Sequence, residues 1–401
     1  LVLFVEFIRG EIRYMQLSTL SNRLVGQPMF QLLAKVKELE KRGKRIIHME
    51  IGDSNFPTPE FVIDVTKRAL DEGYTHYCPS MGLSELREAI CDYTKKDLGF
   101  RPDIEQVLIC PANAIIDFVV RCICDEGERK IVFPDPGFPS YSSVSKYNGV
   151  NDFQYDPILL SPAKIERILW LVRPALLIIN SPNNPTGVII PDEEGARLIY
   201  NSAKQNGCFL FSDEVYSKII FEGQHHSPAI YDQCKERVVL LQSFSKLYSM
   251  SGFRLGYAIG PKELINKMGL MLETIISCVP PFIQKAGVAI LRNEMELYTW
   301  LQDKKYILCF RRRELVDGLN RIPGFSCSLP PGGFYAWCNI EETGYNDLQL
   351  ADILLEKAGI ACLPGRYFGG QGEGYIRFCF ASVIIDEIEE ALEKIKKILE
   401  K

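Results

Sequence analysis

Between residues 105 and 260 the chain alternates two hydrophobic patterns. Short, continuous apolar runs occur at VLIC (107–110), KIVF (130–133), ALLIIN (175–180), CFLFSD (208–213), VVLLQSF (238–244) and LGYAIG (255–260). Between them lie stretches such as AIIDFVVRCICD and EGARLIYNSAKQNG, whose apolar positions recur at helical spacing. A strand that is apolar at every position, rather than every second one, is buried on both faces. Alternating with helices, such strands predict an α/β fold with a mostly parallel sheet, of about seven strands, flanked by helices. Neither GxGxxG nor GxxxxGK[ST] occurs, so neither a dinucleotide fingerprint nor a P-loop accounts for the sheet.

The flanks have another character. MFQLLAKVKELEKR (29–42) carries Phe30, Leu33, Ala34 and Leu39 at helical spacing and stops at Gly43, a C-cap signal. Strand-like RIIHMEIG follows, then the turn GDSNFPTP, in which Pro57 and Pro59 break regular structure. PEFVIDVTKRALDEG reads as a helix begun by proline. HYCPSMGLSELREAI (76–90) reads as a loop and a helix opened by a capping-box-like Ser84-x-x-Arg87. After residue 278 come a long helical stretch (about 281–320), the turn in PPGGFYAW, helical LQLADILLEKAG and a strand, GYIRFCFA. An amphipathic helix ends the chain, with Ile384, Ile388, Leu392, Ile395 and Leu399 on one face. The expected division is a large domain over 58–290 and a smaller α+β domain over 291–401, which residues 1–57 join. At 401 residues the chain is too long for one core.

Composition narrows the function classes. Hydrophobic residues at 47%, charged residues at 24% and a net charge of -5 suit a soluble enzyme and argue against a nucleic-acid or membrane-surface role. The apolar start LVLFVEFIRG lacks a basic region and a cleavage site, so it is not expected to be a signal peptide. Thirteen cysteines without a CxxC pair fit free thiols in a reducing cytoplasm. The four histidines show no metal-ligand spacing, no metal site is expected, and His225 and His226 read as exposed loop residues.

One lysine stands out. In SFSKLYSMSGFRLGY (243–257), Lys246 lies between two buried runs, beside Ser243, Ser245 and Arg254. Partial burial and a neighbouring cation both lower a lysine's proton affinity and free its amine as a nucleophile. Two serines and an arginine also make a phosphate cradle. Three other places carry chemistry. IINSPNNPTGVII puts turn residues at the carboxyl end of a strand, where parallel sheets bind ligands. CFLFSDEVY places Asp213 at a strand end, as a buried carboxylate needing a partner or as a helix cap with Ser212. GYIRFCFA buries Arg377 in an apolar strand, against an anion or in a structural ion pair.

These motifs, in this order and over nearly the whole chain from about residue 20, resemble the class I/II aminotransferases of pyridoxal-phosphate fold type I. The resemblance implies that Lys246 forms the Schiff base with pyridoxal 5′-phosphate. It also implies that Asp213 pairs with the pyridine nitrogen, and that Asn184 and Tyr216 contact the ring oxygen. Phe138 stacks on the ring by position, though it and Tyr141 also fit core packing. Ser243, Ser245, Arg254, Ala112 and Asn113 would hold the phosphate, joined by Tyr77 of the neighbour in a homodimer. Arg377 would take the substrate α-carboxylate, with Asn184 and Gly52 nearby. The chain departs from the family at Ser54, where proline is usual, and at Pro111, which lacks an N–H where many members offer one. The implied reaction is ping-pong transfer of an amino group from an L-amino acid to a 2-oxo acid. Alanine at 112, where aspartate-specific members of this branch place a lysine, points to a neutral or apolar donor unless Arg23 or the other subunit supplies a cation. The alternatives are a carbon–sulfur β-lyase on the same scaffold, or a ligand-sensing domain, which would need a DNA-binding segment that is not evident.

Overall fold

The computed structural model describes residues 7–8, 11–12, 16–24, 26–127, 130–158 and 161–400. Strands β1 (Phe7–Ile8) and β2 (Glu11–Ile12) pair with each other. Most of LVLFVEFIRG, and with it the reading of that stretch, lies outside the described residues. Helices α1 (Thr19–Arg23) and α2 (Pro28–Lys41) follow. Strand β3 (Ile47–His48) pairs in parallel with a strand more than 300 residues later. Next come α3 (Glu60–Asp71) and α4 (Ser84–Leu98). Ser84 does not cap α4. The N-cap is Leu83, whose N–H is taken by Gln284 Oε1 at 2.7 Å, a tertiary cap that a local capping box cannot reveal.

The alternating region folds as its pattern predicts. Its strands are β4 (Val107–Ile109), β5 (Lys130–Pro134), β6 (Asn151–Tyr155), β7 (Leu176–Asn180), β8 (Phe209–Asp213), β9 (Val238–Ser243) and β10 (Gly256–Ile259). They form a seven-stranded sheet in the order β4-β10-β9-β8-β7-β5-β6. Every pair is parallel except those of β10, which runs antiparallel to both neighbours. Strands β7 and β9 are buried along almost their whole length, because α5 (Ala112–Ile123), α6 (Pro139–Tyr147), α7 (Pro162–Val172) and α8 (Glu193–Gln205) cover the faces. Each fully buried Val, Ile or Leu there contributes about 1.5–3 kcal/mol. Strand β6 carries no apolar run. NDFQY is an edge strand that pairs in the sheet with β5 alone; residues 151–154 are exposed or half-buried and only Tyr155 is buried.

Past β9 the chain makes α9 (Phe244–Leu247), one turn long, then α10 (Lys262–Ile276). The stretch expected as one helix is two, α11 (Pro281–Arg292) and α12 (Glu294–Asn320), broken at Asn293. A second sheet has the order β11-β12-β15-β14, from β11 (Ser326–Cys327), β12 (Tyr335–Asn339), β14 (Leu363–Pro364) and β15 (Tyr375–Cys379). Helix α13 (Asp347–Ile353) precedes β13 (Ile360–Ala361), the partner of β3. In the final helix α14 (Ile385–Leu399), Ile388 and Ile395 are buried with Ala391, while Ile384 is the N-cap and is exposed.

Candidate active site

A cavity of about 560 Å³ opens where strands β7, β8 and β9 end. The last residues of these neighbours are Asn180, Asp213 and Ser243. Asn180 and Asp213 are directly paired in register, so sheet geometry itself sets their groups side by side. The side chain of Asn180 bonds both ways: Nδ2 donates to the Asp213 backbone oxygen at 3.1 Å, and Oδ1 accepts the Asn184 N–H at 2.8 Å. Asn184 is thereby fixed at the cavity wall.

Asp213 is buried, and no helix starts at it, so the capping alternative falls away. Tyr141 O–H donates to its Oδ2 at 2.6 Å, and the Val215 N–H reaches Oδ1 at 3.3 Å. Burial pushes the carboxyl up to about 6, against the pull of Tyr141 and Val215. Ser212, the other cap candidate, turns away and donates to Glu214 Oε1 at 2.8 Å. Glu214 also accepts from Ser227 and bonds His225 Nε2 at 2.7 Å. His225 is therefore an inward, bonded residue and not the exposed one its polar loop suggests, and His226 is only half-exposed.

Lys246 sits on α9 and lines the same cavity, its Nζ donating to the Gly52 backbone oxygen. Burial lowers it to about 8; Arg377 and Arg254 lower it further and Asp53 opposes. Gly52 has to be glycine, since a Cβ there would lie 1.8 Å from the Tyr335 hydroxyl oxygen. That hydroxyl bonds Tyr216 O–H at 2.7 Å, which fixes both phenols against the cavity.

Arg377, from β15, is 1% exposed and has no carboxylate partner among the described residues. It donates from Nη1 to Asn184 Oδ1 at 3.0 Å and from Nη2 to the Glu50 backbone oxygen, while Nε is unpartnered. Its guanidinium lies 4.1 Å from the centre of the Tyr335 ring and 4.6 Å from that of Phe368. A buried cation that lines a cavity and has no carboxylate partner is set to receive an anion.

Opposite, the first turn of α5 presents Ala112 and Asn113, with Pro111 as its cap. First-turn N–H groups have no intrahelical partner and favour negative charge. Ser243, Ser245 and Arg254 line the same end. Ser243 Oγ caps α9 by accepting the Ser245 N–H, and Arg254 holds a left-handed backbone (φ 54°) while donating to the Ser251 oxygen. Phe138 borders the cavity, edge-on to Tyr141 at 5.8 Å. Tyr77 does not line this cavity; it projects from the surface, 87% exposed. Arg23 is bound to Glu126 at 2.7 Å and does not line it either.

The sequence reading passed over Tyr335 and gave no role to Asn180. Among the described residues no cluster of three or more His, Cys, Asp or Glu side chains could hold a metal, and no helix is long and apolar enough to cross a membrane.

The family model for aminotransferase class I and II matches residues 44–395. A protein named aspartate aminotransferase from Pyrococcus horikoshii is 35% identical over 381 residues, covering 92% of this chain and 95% of the relative. Aromatic-amino-acid aminotransferase 2 of Thermococcus litoralis is 31% identical over 376 residues, with 92% and 95% covered. The structure of aspartate aminotransferase from Thermus thermophilus with maleate superposes with a TM-score of 0.90 at 26% identity, over 96% of this chain and all of that one.

Proposed function

The chain belongs to the class I and II aminotransferases, and from that premise we propose that its cavity takes pyridoxal 5′-phosphate, with Lys246 as the reacting amine. The observation that carries this reading is the pairing, in one cavity, of a lysine lowered to about 8 with a buried carboxyl raised to about 6. The remaining residues fit the same group. Two serines, an arginine and a helix N-terminus match a phosphate. The absence of the Pro111 N–H shifts weight from the helix to Ser243, Ser245 and Arg254. Tyr77, so exposed on one protomer, fits a contact to the phosphate of a partner in a homodimer.

When bound, pyridoxal phosphate supplies an aldehyde for amine exchange and a ring that accepts an electron pair. Asp213 would hold a proton on the ring nitrogen: Tyr141 occupies Oδ2, while Oδ1, which accepts only the longer Val215 N–H bond, has room for that contact. Tyr216 and Asn184, both on the cavity wall, would offer an O–H and a side-chain N–H to the ring oxygen. Phe138, which borders the cavity, would cover one face of the ring and keep water from it. Arg377, a buried cation on the cavity wall without a carboxylate partner, binds the substrate α-carboxylate through its guanidinium. Lys246 Nζ then removes the proton from the substrate α-carbon. With its affinity near 8, a usable fraction is neutral at pH 7.

The donor is neutral or apolar in this proposal. The outer wall is made by Met29, Phe30, Leu33 and Ile116. Phe30, 59% exposed, lines the cavity from its rim. The cations among the described lining residues, Lys246, Arg254 and Arg377, all have other roles. The test is a single-turnover panel that follows loss of the cofactor's aldehyde absorbance with each amino acid, beside Lys246→Ala. Alanine, aromatic or branched donors react faster than aspartate, and the Lys246→Ala protein lacks the yellow band and turnover. Fastest reaction with aspartate overturns the donor assignment, and turnover by Lys246→Ala overturns the lysine.

A further inference from the structure

Helix α12 sends one cation inward, beneath the loop that carries Lys246. Lys304 is 3% exposed. Its Nζ donates to the backbone oxygens of Lys246 at 3.0 Å and Leu247 at 2.9 Å, and to Ser249 Oγ at 2.8 Å. The rings of Trp300 and Phe56 flank it, 4.9 and 5.6 Å from nitrogen to ring centre. All three ammonium hydrogens are thus used, and none goes to a carboxylate. Taking an ammonium out of water without a counter-charge is expensive, and methionine would fill the same space without that penalty.

What the cation holds is the turn after α9. The last carbonyls of so short a helix have no further turn to bond them. Ser249 adopts a left-handed backbone, φ 53°, that residues other than glycine seldom take. Its hydroxyl is bound by Lys304 and its backbone oxygen by Thr58 Oγ1 at 2.6 Å. Seven residues along the same face of α12, Arg311 donates to Asn55 Oδ1 at 2.9 Å and the Ala381 oxygen at 3.2 Å, and lies 4.8 Å from the Phe56 ring centre. One helix face therefore holds 246–249 by its backbone oxygens and 52–58 by the Asn55 and Phe56 side chains, the two segments that meet where Lys246 Nζ finds the Gly52 oxygen.

We propose that Lys304 is a positioning residue for Lys246: by gripping the backbone of 246–249, it sets the place from which the Lys246 amine enters the cavity. The titratable and charged groups facing Lys246 are Asp53, the Cys379 thiol, Arg377, Arg254 and Asp213; those facing Lys304 are Asp53 and Lys246 itself. Burial pushes Lys304 down toward about 7, with Asp53 opposing and Lys246 adding a like charge, but its three acceptors, which a neutral amine with two hydrogens could not all meet, hold it protonated. Replacing Lys304 thus takes one like charge from the surroundings of Lys246 while loosening its loop.

The inference rests on Lys246 being the reacting amine, which Lys246→Ala tests by itself. Titration of Lys246 without cofactor reads the Lys304 contact whether or not that role holds. The full chain without cofactor is trace-labelled with acetic anhydride across pH, and acetylation of Lys246 is read by mass spectrometry. Melting temperature, kcat and KM are measured beside it. In Lys304→Met, the proton affinity of Lys246 rises about threefold, kcat falls about tenfold and KM stays within about threefold. Lys304→Arg, which keeps the charge, returns the Lys246 midpoint toward that of the unaltered protein. A lower melting temperature with unchanged labelling and kinetics would mean that Lys304 only fills space, and overturns the proposal. If Lys304→Met does not fold, Ser249→Ala removes one acceptor and spares the ammonium. It lowers kcat about threefold, and an unchanged kcat in that variant also overturns the proposal.

Discussion

Tyr141→Phe removes one oxygen from the protein and exposes the energetics of Asp213. The ring keeps its contacts, 5.8 Å from Phe138 and 6.3 Å from Phe133, so no sizeable cavity opens. What goes is a 2.6 Å hydrogen bond to a buried carboxylate. Such a bond to a charged group is worth about 1.5–3 kcal/mol, and about 1.4 kcal/mol corresponds to one pKa unit. The variant's Asp213 therefore titrates about 1–2 units above the present value of about 6. An unfolded aspartate titrates near 3.9. Because the folded value is the higher one, the folded protein binds the extra proton, and stability falls as pH rises from about 4 through 6. That loss is roughly 3 kcal/mol for the unaltered protein without cofactor. In the variant the loss continues to about pH 8. The assay is urea unfolding of both proteins, without cofactor, at half-unit steps from pH 5 to 8.5, analysed as a difference so that titrations common to both cancel. The stability gap is small at pH 5, where both carboxyls are protonated, and widens by about 1.5–3 kcal/mol by pH 8. A gap independent of pH would refute the reasoning, since it would mean that Tyr141 does not favour the ionised form.

Two further outcomes follow from the geometry. Gly52→Ala drives a methyl into the buried Tyr335 hydroxyl, 1.8 Å away, and costs about 1–3 kcal/mol by urea unfolding; adding Tyr335→Phe recovers part of that loss, and strictly additive losses would show that the two do not meet. Tyr77→Phe weakens cofactor binding by about 1.5–3 kcal/mol in a fluorescence titration, and mixing Tyr77 and Lys246 variants raises activity above either alone, whereas no gain on mixing would place each site within one chain.

The residues that sequence made legible share a local signature. Asp213 and Ser243 close apolar runs, Asn184 lies four residues beyond the end of another, and Lys246 sits in the turn just after the run that Ser243 closes. Arg377 announced itself as a charge within an apolar strand. Residues whose meaning comes from a distant partner stayed silent. Tyr335 gains a role only because Gly52 and Tyr216 meet its hydroxyl. His225 looked exposed until Glu214 folded beneath it. Lys304 reads as one more polar position on a long helix, and its acceptors lie more than 50 residues earlier. The same holds for elements. Edge strand β6 needs one partner and no apolar face, so its pattern is weak. The N-cap of α4 borrows its acceptor from Gln284, about 200 residues away.

The pairing of β3 with β13 has a consequence for the chain while it is being made. Strand β3 has no other partner among the described strands, and the Met49 N–H just after it bonds the Ala361 oxygen. Ribosomes add about 5–20 residues per second, so the Ile47–Met49 segment waits roughly 15–60 s before residues 360–361 are synthesised. Through that interval two buried-to-be apolar side chains and an open strand edge face solvent, the configuration most prone to pair with another chain. A nascent chain arrested between residues 60 and 350 is accordingly the species most dependent on a holdase. Slow codons are best tolerated after residue 361, once that edge can close.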